Sequence, residues 1–154
     1  MEGIRLKAFL DTNVLLDILC ASPRPSSAAS DTIIQAIRCG YFEGVLTTQS
    51  IVDASYVLSR NANYDPAAFG RAVLSMLNYL NISGISDFDV WNALSHPGTD
   101  FEDDVQFAHA DAENCEVIIT SDRKFRQRAQ TAGMQFFTPE AFVARLRGER
   151  SSEP

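Results

Sequence analysis

The sequence predicts an α/β fold, a three-layer α/β/α sandwich around a central parallel sheet. Short apolar runs alternate along the 154 residues with stretches whose apolar residues recur at helical spacing. No internal repeat or linker divides the chain, and its length suits one domain. Strands that alternate with amphipathic helices generally pair in parallel and are covered by helices on both faces, which gives the three layers.

Five short segments are predicted as strands: Leu6–Leu10, Gly44–Thr47, Ile82–Ile85, Val117–Thr120 and Gln135–Phe137. The first is an apolar run that ends at Asp11, as expected of a buried strand. The fourth is the clearest because it is rich in β-branched residues, and the third is weakened by Gly84.

Helices are predicted between the strands, from Val14 to Leu19, from Ile33 to a stop at Gly40, over Ile51–Ser59, from Pro66 to Leu80, and over Phe88–Leu94, Phe101–Ala112, Arg123–Thr131 and Pro139–Leu146. Between the first two of these helices, Ala21–Ser30 holds two prolines and four serines and is predicted as a loop or the start of a helix. We therefore expect a single domain over residues 1–147 and a flexible tail over 148–154.

Composition excludes several classes of protein. A chain that is 45% hydrophobic is neither disordered nor collagen-like, and three cysteines without metal-type spacing indicate reduced thiols rather than a disulfide scaffold. We expect a cytoplasmic protein with no membrane segment, because neither a long apolar run nor a signal sequence is present. The sequence contains no Gly-rich phosphate loop and no G-x-S-x-G nucleophile motif.

The distribution of charge is uneven. The net charge is −7, from 20 acids and 13 bases. Many of the acids fall between Asp100 and Asp122, and the only base from Asn61 to Asp122 is Arg71. A dense set of acids without matching bases must stay solvated or share cations.

Four acids come from four segments that a parallel sheet would bring to one edge: Asp11, Asp53, Asp103 and Asp122. Two of them follow strands, and the other two lie early in helices that follow strands or loops. Carboxylates this close cannot all ionise without a counterion, and hard cations such as Mg²⁺ or Mn²⁺ take oxygen ligands. His96 and His109 lack the partners expected of a zinc site.

Each acid also has a purely structural interpretation. Ser50 and Asp53 have the spacing of a capping box, Asp100 and Asp103 could cap the next helix, and Asp122 could be an N-cap. Capping does not explain the three consecutive acids Glu102–Asp104, nor an aspartate at the end of an apolar strand.

Two motifs together resemble the PIN domain family. Asp11-Thr12-Asn13 opens the pattern, Asp100-Phe101-Glu102-Asp103 follows an acid early in a helix, and Ile118–Asp122 completes it. The likeness extends from Leu6 to about Leu146. It implies a PIN-like sandwich and a metal-dependent endoribonuclease, as in VapC-type toxins.

The resemblance implies a role for each matching residue. Four acids are assigned to catalysis: Asp11, Asp53, Asp103 and Asp122. Three of them are assigned to the Mg²⁺ or Mn²⁺ shell: Asp11, Asp103 and Asp122. Supporting positions are Asn13, Thr120 or Ser121, and Asp104. The family usually has glutamate where Asp53 stands, and this shorter side chain favours an outer contact through water. Asp104 replaces a small apolar residue, either as an extra metal contact or as a solvated neighbour.

The implied ligands are RNA and proteins. Arg123, Lys124, Arg126 and Arg128 could contact phosphates, although a solvated helix face is the simpler interpretation. Phe101 and Phe107 could stack on bases, although their spacing favours the core. The family resemblance adds a small antitoxin and a homodimer as partners. An apolar dimer patch could include Met76, Leu77, Leu80 and Trp91, with burial in the core as the default.

Three alternatives remain at this point. A haloacid dehalogenase-like phosphatase requires a second aspartate at the position where this chain has Asn13. A receiver domain requires a lysine at the end of a late strand, whereas Lys124 lies in a predicted helix. Both are therefore disfavoured. The third is a catalytically degenerate PIN-like domain that acts as an RNA- or protein-binding module, for which Asp53 in place of glutamate is the hint.

Overall fold

The structure is a computed structural model that describes residues 6–98, 100–127 and 133–151. Its strands are β1 (Lys7–Leu10), β2 (Glu43–Thr47), β3 (Asn81–Ser83), β4 (Val117–Ile119) and β5 (Gln135–Phe137). Its helices are α1 (Thr12–Leu19), α2 (Ser27–Arg38), α3 (Thr48–Leu58), α4 (Pro66–Met76), α5 (Asp87–Ser95), α6 (Phe101–Ala112), α7 (Arg123–Gln127) and α8 (Pro139–Ser151).

The five strands form one parallel sheet in the order β3-β2-β1-β4-β5. The chain builds outward from β1 to β3 on one side and then returns to add β4 and β5 on the other. In sheets of this kind, the point where the order reverses, here between β1 and β4, leaves a crevice beyond the carboxyl ends of the strands. The predicted α/β/α sandwich is confirmed.

Two apolar clusters cover the two faces of the sheet. In β1, Ala8 and Leu10 belong to the larger cluster and Phe9 to the smaller, because alternate side chains of a strand point to opposite faces. The larger cluster is completed by residues of α1, α2, α3, α4 and α8, and the smaller by residues of α6 and α7. Helices on both faces therefore bury the apolar residues of the central strands β1, β2 and β4.

Several element boundaries differ from those predicted. Strand β3 ends at Ser83, so Gly84 follows the strand instead of interrupting it. Helix α8 extends to Ser151, past the predicted end at Leu146, and the flexibility predicted for 148–154 stays a prediction. The part of the predicted seventh helix beyond Gln127 lies outside the described residues. No helix in the described ranges is long and apolar enough to cross a membrane.

A buried polar chain joins β3, α5 and α6. His109 donates through Nδ1 to Asp89 Oδ2 over 2.9 Å, and Ser83 Oγ lies 2.8 Å from His109 Nε2. Burial disfavours the charged form of Asp89, but hydrogen bonds from Ser86 and His109 outweigh burial, so the pKa of Asp89 lies below its ordinary value. His109, which the sequence left without a partner, therefore has a structural one.

We predict that Asp89→Ala lowers the free energy of unfolding by about 2–4 kcal/mol, because it leaves His109 buried without its partner. Asp87→Ala is the matched control, since Asp87 lies in the same first turn but is exposed. The control should cost less than about 1 kcal/mol in the same denaturant titration. Equal losses for the two variants would contradict the prediction.

Substitution by alanine should change the stability in opposite directions at two glycines, Gly44 and Gly70. A Cβ on Gly44 would lie 2.5 Å from Ile37 Cδ1 and 2.7 Å from Leu80 Cδ2, both in the core. A Cβ on Gly70, within α4, would meet nothing within 4 Å. We expect Gly44→Ala to lower stability by about 1–3 kcal/mol. We expect Gly70→Ala to raise it by up to about 1 kcal/mol, measured by the same denaturant unfolding.

Candidate functional site

The carboxyl ends of β1 and β4 meet at the point where the strand order reverses. Asp11 follows β1 directly, and Asp122 lies shortly after β4. Because the two strands are parallel neighbours with Leu10 opposite Ile119, both acids emerge at the same edge. The sheet therefore brings together two acids that are far apart in the sequence.

Asp11 is the buried centre of this edge, with 5% of its surface exposed. It accepts hydrogen bonds from the Thr12 amide (2.7 Å), the Asn13 side chain (3.3 Å) and Thr120 Oγ1 (2.6 Å). Burial raises the pKa of Asp11, and these donors oppose the increase. Asn13 and Thr120, two of the predicted supporting residues, thus hold the first acid in place.

Thr120 also connects Asp11 to Asp122. Its hydroxyl donates to Asp11 and accepts from the Asp122 amide over 2.9 Å. Asp122 Oδ1 in turn accepts from the amides of Lys124 (2.7 Å) and Phe125 (3.2 Å), which is an N-cap of α7. The structural interpretation of Asp122 is therefore right, and the cap also fixes its carboxylate beside the site. Ser121 is exposed and makes no comparable link in the described structure.

Asp103 comes to the same edge from the first turn of α6. Asp100 caps this helix by accepting from the amides of Glu102 and Asp103. Burial and the charges of Asp100, Asp122, Asp11 and Glu102 raise the pKa of Asp103 to about 7. The four charged neighbours that most raise this pKa are all carboxylates, so negative charge is concentrated around Asp103.

Asp53 is connected to the site electrostatically, because its charge acts on Glu102. Burial first, and then the charges of Asp53, Asp11 and Asp100, raise the pKa of Glu102. Asp53 lies in the second turn of α3, not in the predicted first turn, because the helix begins at Thr48. The predicted capping box is also wrong: Thr47 caps α3, and Asp53 instead accepts from Gln49 Nε2 over 2.8 Å.

Asp104 has a structural partner in the loop before α6. Its side chain is buried and accepts from the Gly98 amide over 2.7 Å, so it is not the solvated neighbour considered above. The three consecutive acids therefore divide their roles. Glu102 and Asp103 lie beside the other carboxylates, while Asp104 holds the loop before α6.

The basic residues predicted to contact phosphate lie in different environments. Arg126 donates from Nη1 to the Thr120 carbonyl over 3.1 Å, which supports the segment that carries Asp122. Arg123 and Lys124 are exposed on α7, and Arg128 lies outside the described residues. Two basic side chains therefore remain accessible at this edge.

Two other aromatic residues differ in their environment. Phe107 stacks with Phe136 at the smaller apolar cluster, as the prediction of a core role required. Phe101 is 54% exposed, so the prediction that it lies in the core is wrong. The reason is its position in the first turn of α6, beyond the edge of the sheet.

Sequence reasoning missed two contributors to the site, Glu102 and Gln106. Gln106 Nε2 donates to Glu102 Oε1 over 3.2 Å, one helical turn away. The four-residue spacing of the two on α6 was the available signal, because such pairs share a helix face. A group of hydroxyls was also missed: Ser50 Oγ accepts from Thr12 Oγ1 (2.9 Å) and Thr47 Oγ1 (3.0 Å), joining α1 to α3.

The carboxylate oxygens at this edge are of the type that binds a hard cation, but among the residues that the structure describes their spacing is too wide for three of them to bind one ion. Carboxylate oxygens with excess negative charge are the ligands that Mg²⁺ and Mn²⁺ prefer. Within the described ranges, however, no three His, Cys, Asp or Glu side chains lie close enough to hold one ion together. An ion here would therefore contact one or two carboxylates directly and the rest through water, as Mg²⁺ commonly does.

We predict that the metal-free protein loses stability as pH rises between about pH 4 and pH 8, and that Asp103→Asn loses less. Native Asp103 keeps its proton up to about pH 7, whereas the ordinary value is 3.8, so the native state binds more protons across this interval. Denaturant unfolding in chelator measures both slopes. Asp111→Asn, an exposed acid on the same helix, should retain the wild-type slope. An unchanged slope in Asp103→Asn would contradict the prediction.

Comparison with known proteins gives one family and several structures. The family model of the PIN domain matches residues 7–124, more than half of the chain and all the acids discussed above. No curated protein matches the chain in sequence.

Three solved structures illustrate the likeness of fold. A toxin-antitoxin complex from Klebsiella pneumoniae is 17% identical, with 86% of this chain and 97% of that chain covered at a TM-score of 0.60. Mycobacterium tuberculosis VapC20, a sarcin-ricin loop cleaving toxin, is 14% identical over 83% and 98%, at 0.62. Rickettsia felis VapBC2, bound to a DNA fragment from their promoter, is 13% identical over 86% and 98%, at 0.59. The sheet order, the acids at its edge and the matched family model together establish that this chain belongs to the PIN domain family.

Proposed function

We propose that the chain is a metal-dependent endoribonuclease that hydrolyses RNA phosphodiester bonds, and that it is the toxin of a toxin-antitoxin pair. The observation that carries the proposal is the environment of Asp103, whose pKa is raised to about 7 by burial and by four neighbouring carboxylates. Such a concentration of like charge is unfavourable in the free protein and becomes favourable when a cation binds.

Asp11, Asp103 and Asp122 would hold the ion, directly or through water, and Asp53 would act as an outer ligand. A bound Mg²⁺ or Mn²⁺ would supply a water of lowered pKa and offset charge that develops on the phosphate. The chain would need no nucleophilic side chain, which agrees with the lack of a G-x-S-x-G motif in the sequence.

The residues around the acids have positioning roles in this proposal. Thr120 orients Asp11 and Asp122 with one hydroxyl, and Asn13 donates to the same Asp11 oxygen. Because these donors are already in place, the carboxylates lose little freedom when they bind an ion. The exposed Arg123 and Lys124 would meet the phosphates on either side of the cleaved bond.

The proposed partners are a small antitoxin and a second copy of the chain. The Klebsiella pneumoniae structural neighbour, described as a toxin-antitoxin complex, supports the first. For the second, only half of the predicted apolar patch is available. Leu77 and Trp91 are more than half exposed, whereas Met76 and Leu80 are buried in the larger apolar cluster.

We predict that the purified protein cleaves a mixed RNA pool in Mn²⁺ or Mg²⁺ and loses this activity in chelator. Asp103→Asn should reduce the rate by roughly a hundredfold or more, because it removes a charge from the centre of the cluster. Asp111→Asn, purified identically, should cleave as the wild type does, since this acid is exposed near the other end of α6. Gel analysis of the RNA gives both rates.

The remaining outcomes separate the alternatives. Equal cleavage by the wild type and Asp103→Asn would reject the assigned site. If neither cleaves, calorimetry with Mn²⁺ decides between the two functions. Binding by the wild type alone indicates a nuclease with a narrow target sequence. No binding by either protein favours the degenerate binding module and contradicts the proposal.

A further inference from the structure

A cleft of about 350 Å³ lies beside the acidic edge, between α3, α5 and α6. Its polar lining includes Ser50, Asp53, Glu102 and Gln106, and its apolar lining includes Phe101. Ile85, Val90 and Val105 complete the apolar walls. Apolar walls with a few convergent polar groups are the usual character of a site for a small organic group.

Gln106 lines this cleft and carries a buried acceptor without a partner. The residue is 6% exposed, and its Oε1 is the buried side-chain atom that has no hydrogen-bond partner among the described residues. Turning the amide over would place its oxygen against the Glu102 carboxylate, so two acceptors would face each other. The terminal torsion of glutamine is broad, so a partial rotation that does not reverse the amide would bring the oxygen toward a donor in the cleft. An unpaired buried acceptor is unfavourable and calls for such a donor.

Phe101 provides an exposed aromatic face at the same cleft. It is 54% exposed in the first turn of α6, directly before Glu102. Phe107 on the same helix packs against the smaller cluster, whereas Phe101 does not. Burial in the core therefore does not explain the position of Phe101. An exposed ring beside apolar walls suits a planar group that stacks on it.

Charge decides which part of a nucleic acid this cleft accepts. The carboxylates of Asp53 and Glu102 both line it, and they repel phosphate. The edge of a nucleobase instead presents N–H donors to acceptors, and its planar face is apolar enough for the walls. Uracil offers one such donor, whereas adenine, cytosine and guanine each carry an amino group.

We propose that this cleft binds one unpaired, amino-bearing base of the RNA substrate, with Phe101 stacking on the base and Gln106 Oε1 and Glu102 accepting its N–H groups. The inference rests on the proposed nuclease function and specifies its substrate subsite. Since Glu102 directly precedes Asp103, a base in the cleft would set which phosphodiester bond reaches the acidic edge.

The first test is cleavage of an RNA pool of randomised sequence in Mn²⁺, with the cut ends sequenced. The wild type should disfavour uracil at one fixed position relative to the cut. Phe101→Leu should lower kcat/KM about tenfold, in line with the loss of one stacked base. Phe88→Leu is the matched control, because Phe88 is 59% exposed on α5 and outside the cleft lining, and it should retain the wild-type rate.

Gln106→Leu separates recognition from a structural role. It should weaken the discrimination against uracil while leaving the melting temperature unchanged or higher, because it removes an unsatisfied buried acceptor. A lower melting temperature with unchanged base preference would assign Gln106 to structure alone. Uracil preference, no positional preference, or equal rates for Phe101→Leu and Phe88→Leu would overturn the proposal.

A second test keeps the base site distinct from the nuclease activity. AMP, CMP, GMP and UMP are titrated separately into the ¹⁵N-labelled protein in chelator, and amide shifts are recorded by NMR. The three amino-bearing nucleotides should shift Val105 and Gln106, and Phe101→Leu should reduce these shifts. Such shifts without RNA cleavage would retain the base site and reject the nuclease. Acetyl-arginine amide is titrated in the same way as a probe for a basic peptide. If no nucleotide shifts these amides, the base site is overturned. If only acetyl-arginine amide shifts them, the cleft is assigned to a basic peptide instead.

Discussion

The parallel pairing of β1 with β4 positions every other part of the acidic edge. It places the end of the apolar run Ala8–Leu10 against Ile119, so Asp11 must emerge next to the segment that carries Asp122. A charged side chain at the end of a buried strand is costly unless it has partners. Thr120, Asn13 and the Thr12 amide supply them, and Asp11 is therefore both buried and held in one position.

The polar residues of this chain divide into those that complete the fold and those that leave charge uncompensated. Asp17 belongs to the first group: it pairs with Arg24 over 2.9 Å and accepts from Ser30 over 2.8 Å, which secures the loop between α1 and α2. Asp89 also belongs to the first group, because its hydrogen bond with His109 joins α5 to α6. Asp103 belongs to the second group, because the charged neighbours that most raise its pKa are other carboxylates. That contrast, more than the number of acids, distinguishes a candidate binding site from structural polar groups.

Much of the fold could be predicted because its periodicity is local. The apolar run before Asp11, the β-branched run Val117–Thr120 and the prolines and glycines at helix ends gave elements close to those of the structure. Helix α3 was less predictable. Ser50 and Asp53 fit a capping box as well as Thr47 fits an N-cap, and only the hydrogen bond from the Ser50 amide to Thr47 Oγ1 decides between them. Phe101 was misjudged for a related reason, since helical spacing does not tell which turn projects beyond the sheet.

The fold class, the family resemblance and the identity of the acids can be read from the order of residues alone, because strand periodicity, helix periodicity and motif spacing are encoded over short distances. Packing between distant segments set the different environments of those acids. It turned Asp104 toward the Gly98 amide, set Glu102 beside Asp53, and left Gln106 Oε1 unpaired at a cleft. Neighbouring residues of one helix face different surroundings, and those surroundings come from segments that are distant in the chain. The direction of each side chain on α6 is fixed by what packs against that helix, which the order of residues in the sequence does not specify.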